Sequence, residues 1–169
     1  MSWQNEMVVI VRHLVNDLNS SEYTFTDDRL EESILVAAQL ASLEIDFENV
    51  YLIDVDSIAL TPDPTASGNK DDSFINLVCL KTARLLLGSE LKTHSLNAIS
   101  LRDGPSSLDL RGIVAGLKIL FDDLAKRYDE AVLQYKMNGV VGQAILGPYS
   151  PGSDFYSSRS SSHRSGWFE

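Results

Sequence analysis

Residues 23–47 read YTFTDDRLEESILVAAQLASLEIDF, a complete helix start followed by more apolar surface than one neighbour can cover. Thr26 is the expected N-cap, because its hydroxyl can accept from an orphan amide of the first turn, and Asp27 and Asp28 place negative charge at the positive helix end. Phe25 before the cap and Leu30 four residues beyond it make a hydrophobic staple. At 100° per residue Leu30, Ile34, Ala37, Ala41 and Ile45 form one stripe, while Leu35, Val36, Leu40 and Leu43 spread apolar surface around the cylinder. The helix is therefore expected to be sandwiched, within its own fold or between subunits, with the rest of the chain packed against it.

Working outward, the pattern on the N-terminal side predicts a helix from about Asn5 to Leu18, with Met7, Ile10, Val11, Leu14 and Leu18 at helical spacing and Asn19-Ser20-Ser21 as its stop. On the C-terminal side the central helix is expected to end near Asp46. Residues 49–60, NVYLIDVDSIAL, then turn to strand chemistry as a hairpin or two short strands. Residues 61–70, TPDPTASGNK, are loop. A third helix starts near Asp71, with Asp72 also at the dipole's positive end, and runs through Phe74, Leu77, Val78, Lys81 and Leu85; Ile75, Cys79, Leu80 and Leu86 make it apolar on several sides. Gly88 weakens it, and both continuation and restart beyond it are compatible with the pattern. Residues 98–110, AISLRDGPSSLDL, alternate around Asp103-Gly104-Pro105 and predict a second hairpin. The last helix, about Gly112 to Asn138, sets Ile113, Leu117, Leu120, Leu124, Tyr128, Ala131 and Tyr135 on one face and would be roughly 40 Å long.

At Gly139 the composition changes. Residues 139–169 are rich in Gly, Pro and Ser, include SSRSSSHRSG and end Trp167-Phe168-Glu169. Such a segment cannot build a core of its own. The expectation is a mainly α protein: a bundle of about four helices with one or two short β-hairpins, a helical domain over 1–138 and an extended C-terminal docking arm over 139–169. Trp167 and Phe168, with Arg159 and Arg164, are the candidate docking residues, since exposed aromatics at the end of a polar segment suit a partner's pocket.

Composition narrows the function. The 169 residues hold 14 Lys and Arg against 24 Asp and Glu, a net charge of −10. Arg159 and Arg164 balance Asp154 and Glu169, so that charge lies on residues 1–138 and argues against tight nucleic-acid binding. One cysteine permits no internal disulfide, and residues 1–18 are neither a signal peptide nor a membrane span, which points to a reducing cytoplasm or a particle assembled there. Catalytic patterns are missing. His13, His94 and His163 are scattered, Cys79 reads as a buried small hydrophobe, and no phosphate-binding glycine loop or nucleophile elbow occurs. Asp54-Val-Asp56 opens like a calcium loop, but Ala59 stands where glycine is needed and Thr65 where a bidentate Glu is needed. Asp27-Asp28 and Asp71-Asp72 sit at helix starts, and Asp122-Asp123 lies mainly on a polar helix face. No catalytic, cofactor or metal residue is assigned, and the chain is expected not to be an enzyme.

The succession Tyr23-Thr24-Phe25-Thr26-Asp27-Asp28-Arg29-Leu30-Glu31-Glu32, the apolar helix, Leu60-Thr61-Pro62-Asp63-Pro64, then Lys70-Asp71-Asp72-Ser73-Phe74-Ile75-Asn76 resembles head-tail connector proteins of tailed bacteriophages, also called neck adaptor or head-completion proteins. The likeness runs from about Val8 to Tyr135 and rests on the ordered set, since each piece alone is a cap or a turn signal. The resemblance implies a structural virion protein at the neck, assembled in the host cytoplasm. It would form a ring of about twelve copies joining the portal protein to the tail or next neck ring, with DNA passing through the channel without specific binding and no membrane involved. The acidic body suits such a channel, because like charge removes the counterion-release gain that holds proteins on phosphates. The alternative is a small cytoplasmic helical binding or regulatory module whose tail, residues 139–169, is a recognition peptide.

Overall fold

A computed structural model describes residues 2–100 and 110–139, with side chains described for 2–96 and 114–138. The chain divides into Met1–Lys136 and Met137–Glu169, and the fold set out below is that of the first unit. Helix α1 spans Trp3–Val15 and buries Trp3, Met7, Val8 and Val11. Its first amide is capped from far along the chain, Trp3 N–H donating to Asp63 Oδ2 at 3.2 Å. The helix stops earlier than the apolar spacing to Leu18 implied. Asn16 takes a left-handed conformation at φ 58°, and the amides of Asn16 and Asp17 close back on the carbonyls of His13 and Arg12. Asparagine tolerates that conformation better than other side chains with a Cβ, so it ends the helix at lower cost than continuing into polar sequence.

Helix α2, Asp27–Glu44, starts as expected: Arg29 N–H donates to Thr26 Oγ1 at 3.4 Å, and the stapling pair Phe25 and Leu30 is buried. Two strands follow, β1 at Leu52–Asp54 and β2 at Ala59–Thr61, antiparallel with Ile53 opposite Leu60. Their turn is organised by Asp54, whose carboxylate accepts from the amides of Asp56 and Ser57 and from the Ser57 hydroxyl. The Asp-x-Asp pair is thus used by the turn. Helix α3, Asp72–Ser100, is capped by Asp71, whose Oδ1 accepts from Phe74 N–H at 2.9 Å while its Oδ2 accepts from Asn49 and from the Tyr51 hydroxyl. Burial alone would raise the Asp71 carboxyl, but these donors hold it below the ordinary carboxylate range. Through Gly88 α3 continues as a helix. Of the stretch expected to make a second hairpin, Ala98–Ser100 belong to α3 and Leu110 opens α4, while residues 101–109 lie outside the described residues.

Helix α4, Leu110–Gly139, is about 45 Å long at 1.5 Å per residue. Leu124 and Tyr128 are buried, with Leu117, Phe121, Ala131 and Tyr135 half-buried beside them. Leu120, expected on this face, is instead exposed, and Phe121 takes the inward place against Gly88 of α3. Gly88 is what lets the ring in, since a Cβ there would stand 3.2 Å from Phe121 Cε2. A second correction concerns the centre of the fold. Over Phe74–Leu87, α3 is enclosed by α1, α2 and α4, whereas α2 keeps one side open. α3 is therefore the central element. Glu44 at the end of α2 meets Lys81 while Arg29 at its start meets Ser89, so α2 and α3 run in opposite directions.

Candidate interaction surfaces

Helix α2 divides its apolar residues between two sides. Leu30, Ile34, Leu35, Ala37, Ala38 and Ala41 are buried against the core, together with Ile45 just past the helix end. Val36, Leu40 and Leu43 fall within about 60° of one another on the helical wheel and face solvent, Leu43 being 81% exposed. Three large apolar side chains at i, i+4 and i+7 form the anchor pattern of a helix presented to a partner. The sandwiching expected for α2 is thus met on one side within the fold and left open on the other.

That open face is held on a rigid support. At the start of α2, Arg12 donates to Asp17 Oδ2 at 2.7 Å, to the Phe25 carbonyl at 3.0 Å and to Asp27 Oδ1 at 2.6 Å, and its guanidinium lies 3.6 Å from the centre of the Tyr23 ring. Asp17 in turn accepts from the amides of Thr24 and Phe25. This clasp ties the end of α1 to the cap of α2 and leaves none of its described buried side-chain polar atoms without a partner. At the other end Lys81, Glu44 and Tyr128 join α3, α2 and α4. Glu44 pairs with Lys81 through one oxygen and accepts from the Tyr128 hydroxyl at 2.7 Å through the other, while the Lys81 ammonium sits 4.7 Å from the centre of the Tyr128 ring. The Lys81 hydrogen bond, joined by that of Tyr128 and opposed by burial, holds the Glu44 carboxyl below its ordinary range. Burial, with the bond to Glu44, pushes the Tyr128 hydroxyl well above its ordinary range. A lysine, a glutamate and a tyrosine in contact could exchange protons, but each is engaged by the others and Lys81 is nearly fully buried, so the arrangement works as a three-helix tie.

Leu96 near the end of α3, and Ile119 and Leu120 beside Phe121 on α4, are exposed. Lys92 is exposed one turn before Leu96 on α3, where Glu90 lies near His94, and on α4 exposed Lys118, Asp122 and Asp123 flank Ile119 and Leu120. Over the C-terminal half of α4 a shallow, open groove is lined by Asp122, Ala125, Lys126, Asp129, Glu130 and Leu133. Among the described residues no group of three His, Cys, Asp or Glu side chains is gathered as a metal site would require. Cys79 is buried, and burial first, then the charge of Glu6, pushes its thiol up to about 12, which leaves it unreactive at neutral pH. His13 is on the surface with Nδ1 against the Val9 carbonyl. No described helix is long and apolar enough to cross a membrane.

The docking residues expected from sequence, Arg159, Arg164, Trp167 and Phe168, lie outside the described residues, as does the rest of the expected arm apart from Gly139 at the end of α4. Sequence reasoning missed the Arg12 clasp and the Glu44–Lys81–Tyr128 tie, whose members are 37 and 84 residues apart in the second case. For the clasp one signal existed, since an Arg on an otherwise apolar helix face shortly before an Asp and a capped helix start is a candidate for burial. No family model, no curated protein and no solved structure matches this chain.

Proposed function

We propose that this chain is a structural subunit of a tailed-phage virion, forming an adaptor ring that joins the portal vertex to the tail or the next neck ring and surrounds the DNA channel. The observation that carries the reading is the outward stripe of Val36, Leu40 and Leu43 on a helix whose opposite side is fully packed. Such a stripe on a rigid three-helix support suits lateral packing between copies, in which each subunit covers the next. Charge supports the same reading. A body of −10 gives DNA no counterion-releasing foothold, so a channel lined by it lets the duplex slide. The described elements, a first helix, a Thr26-capped helix, a hairpin, an Asp71-capped helix and a long final helix, follow the order on which the resemblance rests apart from its second hairpin, of which residues 101–109 lie outside the described residues.

In this reading the C-terminal residues 139–169 contact the adjoining ring, with Trp167 and Phe168 in apolar pockets and Arg159 and Arg164 near acidic groups. The test is co-sedimentation of a portal protein with the full-length chain, with a truncation lacking Pro151–Glu169, and with a Trp167→Ala, Phe168→Ala double variant. The full chain is expected to sediment with the portal and the two variants to be lost from it. Equal attachment by all three overturns the docking role of the tail. Failure of the full chain to attach, with monomeric behaviour at high concentration, favours the alternative of a helical binding or regulatory module.

A further inference from the structure

The outward stripe of α2 lies in the most acidic part of the chain. Between Arg12 and Lys70 there are twelve acidic side chains and one basic one, Arg29, so residues 13–69, which contain α2 and the hairpin, carry −11. Glu32 falls on the same side of the helix as Val36 and Leu43. Two copies meeting α2 to α2 would therefore bring like charge together beside the apolar contact. Ile119 and Leu120 on α4 also offer apolar surface, but exposed Asp122 and Asp123 stand within a turn of them. The end of α4 differs. Residues 131–153, AVLQYKMNGVVGQAILGPYSPGS, contain Lys136 and no acidic side chain, the longest acid-free run in a chain with 24 Asp and Glu. The run begins on the described helix, where Met137 is 64% exposed, and continues with Val140, Val141, Ala144 and Ile145 at helical spacing from it. Met137, Val141 and Ala144 repeat the i, i+4, i+7 spacing of Val36, Leu40 and Leu43.

We infer that the outward stripe of α2 takes the acid-free segment of a second copy of this chain, Val36, Leu40 and Leu43 of one copy covering Met137, Val140, Val141, Ala144 and Ile145 of the next. Apolar burial holds the contact, and the absence of acid from the incoming segment spares it the repulsion that an acidic surface meets beside Glu32. The course of α4 favours a neighbour over the same copy. Phe121 lies against Gly88, next to the Ser89 that meets Arg29 at the start of α2; Tyr128 meets Glu44 at the end of α2, and the Tyr135 hydroxyl accepts from the Glu48 amide. α4 thus runs in the direction of α2 and has passed its end by Tyr135, with the stripe of the same copy behind that point. The contact joins two different surfaces, so every copy keeps one of each for further neighbours, and the assembly closes into a ring when the rotation per copy divides a full turn. Residues 147–169, with Trp167 and Phe168, are left for the adjoining ring. The inference deepens the adaptor reading and rests on it only for closure and copy number.

The test uses full-length chains carrying Gln39→Cys, at an exposed position beside the α2 stripe, or Gln143→Cys, at a polar position within the acid-free segment, so that every apolar anchor is kept and buried Cys79 stays in place. A short bis-maleimide linker is applied to each variant alone and to an equal mixture in which one chain bears a size tag, in free solution at high concentration and on a portal protein. The mixture is expected to give about tenfold more cross-linked dimer than either variant alone, because a contact between unlike surfaces brings the two thiols together only in mixed pairs. Adding Leu43→Asp to the Gln39→Cys chain is expected to bring the yield down to that of the single variants. Gln39→Cys chains that link to each other as well as the mixture does would overturn the pairing. So would a chain carrying both cysteines that links within itself while the mixture gives no dimer. A ring on the portal with no link in the mixture would also overturn it while leaving the adaptor reading intact. Linking in the mixture without attachment to the portal would keep the pairing and remove the adaptor reading.

Discussion

Removing the Arg12 side chain from the clasp should be the most damaging single change outside the apolar core. Arg12→Met keeps a long apolar stem but deletes the guanidinium that faces Asp17, the Phe25 carbonyl and Asp27. The side chains of Arg12 and Asp17 are only 7% and 5% exposed, so the variant strands a carboxylate away from water, which typically costs about 3–5 kcal/mol. The Asp27 pair adds little, since that carboxylate is 67% exposed and such surface pairs contribute about 0–1 kcal/mol. Against a whole-domain stability of about 5–15 kcal/mol, the loss should shift the urea midpoint strongly, read by circular dichroism at the helical band. Adding Asp17→Asn to Arg12→Met should restore part of the loss, because the amide oxygen still accepts one of the Thr24 and Phe25 amides and no buried charge remains. A single variant that loses less than about 1 kcal/mol, or a double variant less stable than the single, would refute the claim that the pair is held by mutual charge compensation.

Gly88→Ala should lower the melting temperature, because the added Cβ would stand 3.2 Å from the Phe121 ring that Gly88 admits and such overpacking, about 1–3 kcal/mol, outweighs the gain in helix propensity of about 1 kcal/mol; a rise would mean the ring gives way freely. Tyr128→Phe should cost about 1 kcal/mol through the lost hydrogen bond to Glu44, whereas Tyr128→Ala should cost about 3–5 kcal/mol through the cavity, both measured by urea unfolding. Asp71 and Glu44 have folded-state carboxyls held below the ordinary range, so their contribution is complete above that range and is lost as pH falls through the depressed values. Melting temperature should accordingly fall on acidification, and Asp71→Asn should start lower and fall less steeply; parallel curves for the two proteins would contradict it.

What was legible in the sequence was local. Thr26, Phe25 and Leu30 announce the start of α2 because cap and staple span only five residues, and Asp71 announces α3 for the same reason. The hairpin at residues 52–61 followed from strand chemistry on either side of a polar turn. The pattern shows α3 to be apolar on several sides, but not that Lys81 and Thr82 are buried with it, because Glu44 and the Val78 carbonyl, respectively, engage their polar atoms only in the fold. On α4 the choice between Leu120 and Phe121 depended on a glycine across the interface, which no helical wheel contains. The outward stripe of α2 could be read as surplus apolar surface, but only the fold separates Val36, Leu40 and Leu43 from Leu35, which is buried. Beyond Gly139 the composition marks a change, and Arg159, Arg164, Trp167 and Phe168 remain assigned by their chemistry alone.

The central claim is that copies of this chain cover one another in a ring on a portal surface. It is tested most directly by the mass of the purified full-length protein, measured by light scattering across a concentration series, alone and after mixing with a portal protein. The account predicts a folded, largely helical monomer or mixed oligomers alone and a discrete complex carrying about a dozen copies with the portal. A tight, concentration-independent dimer that adds no mass to the portal would contradict it.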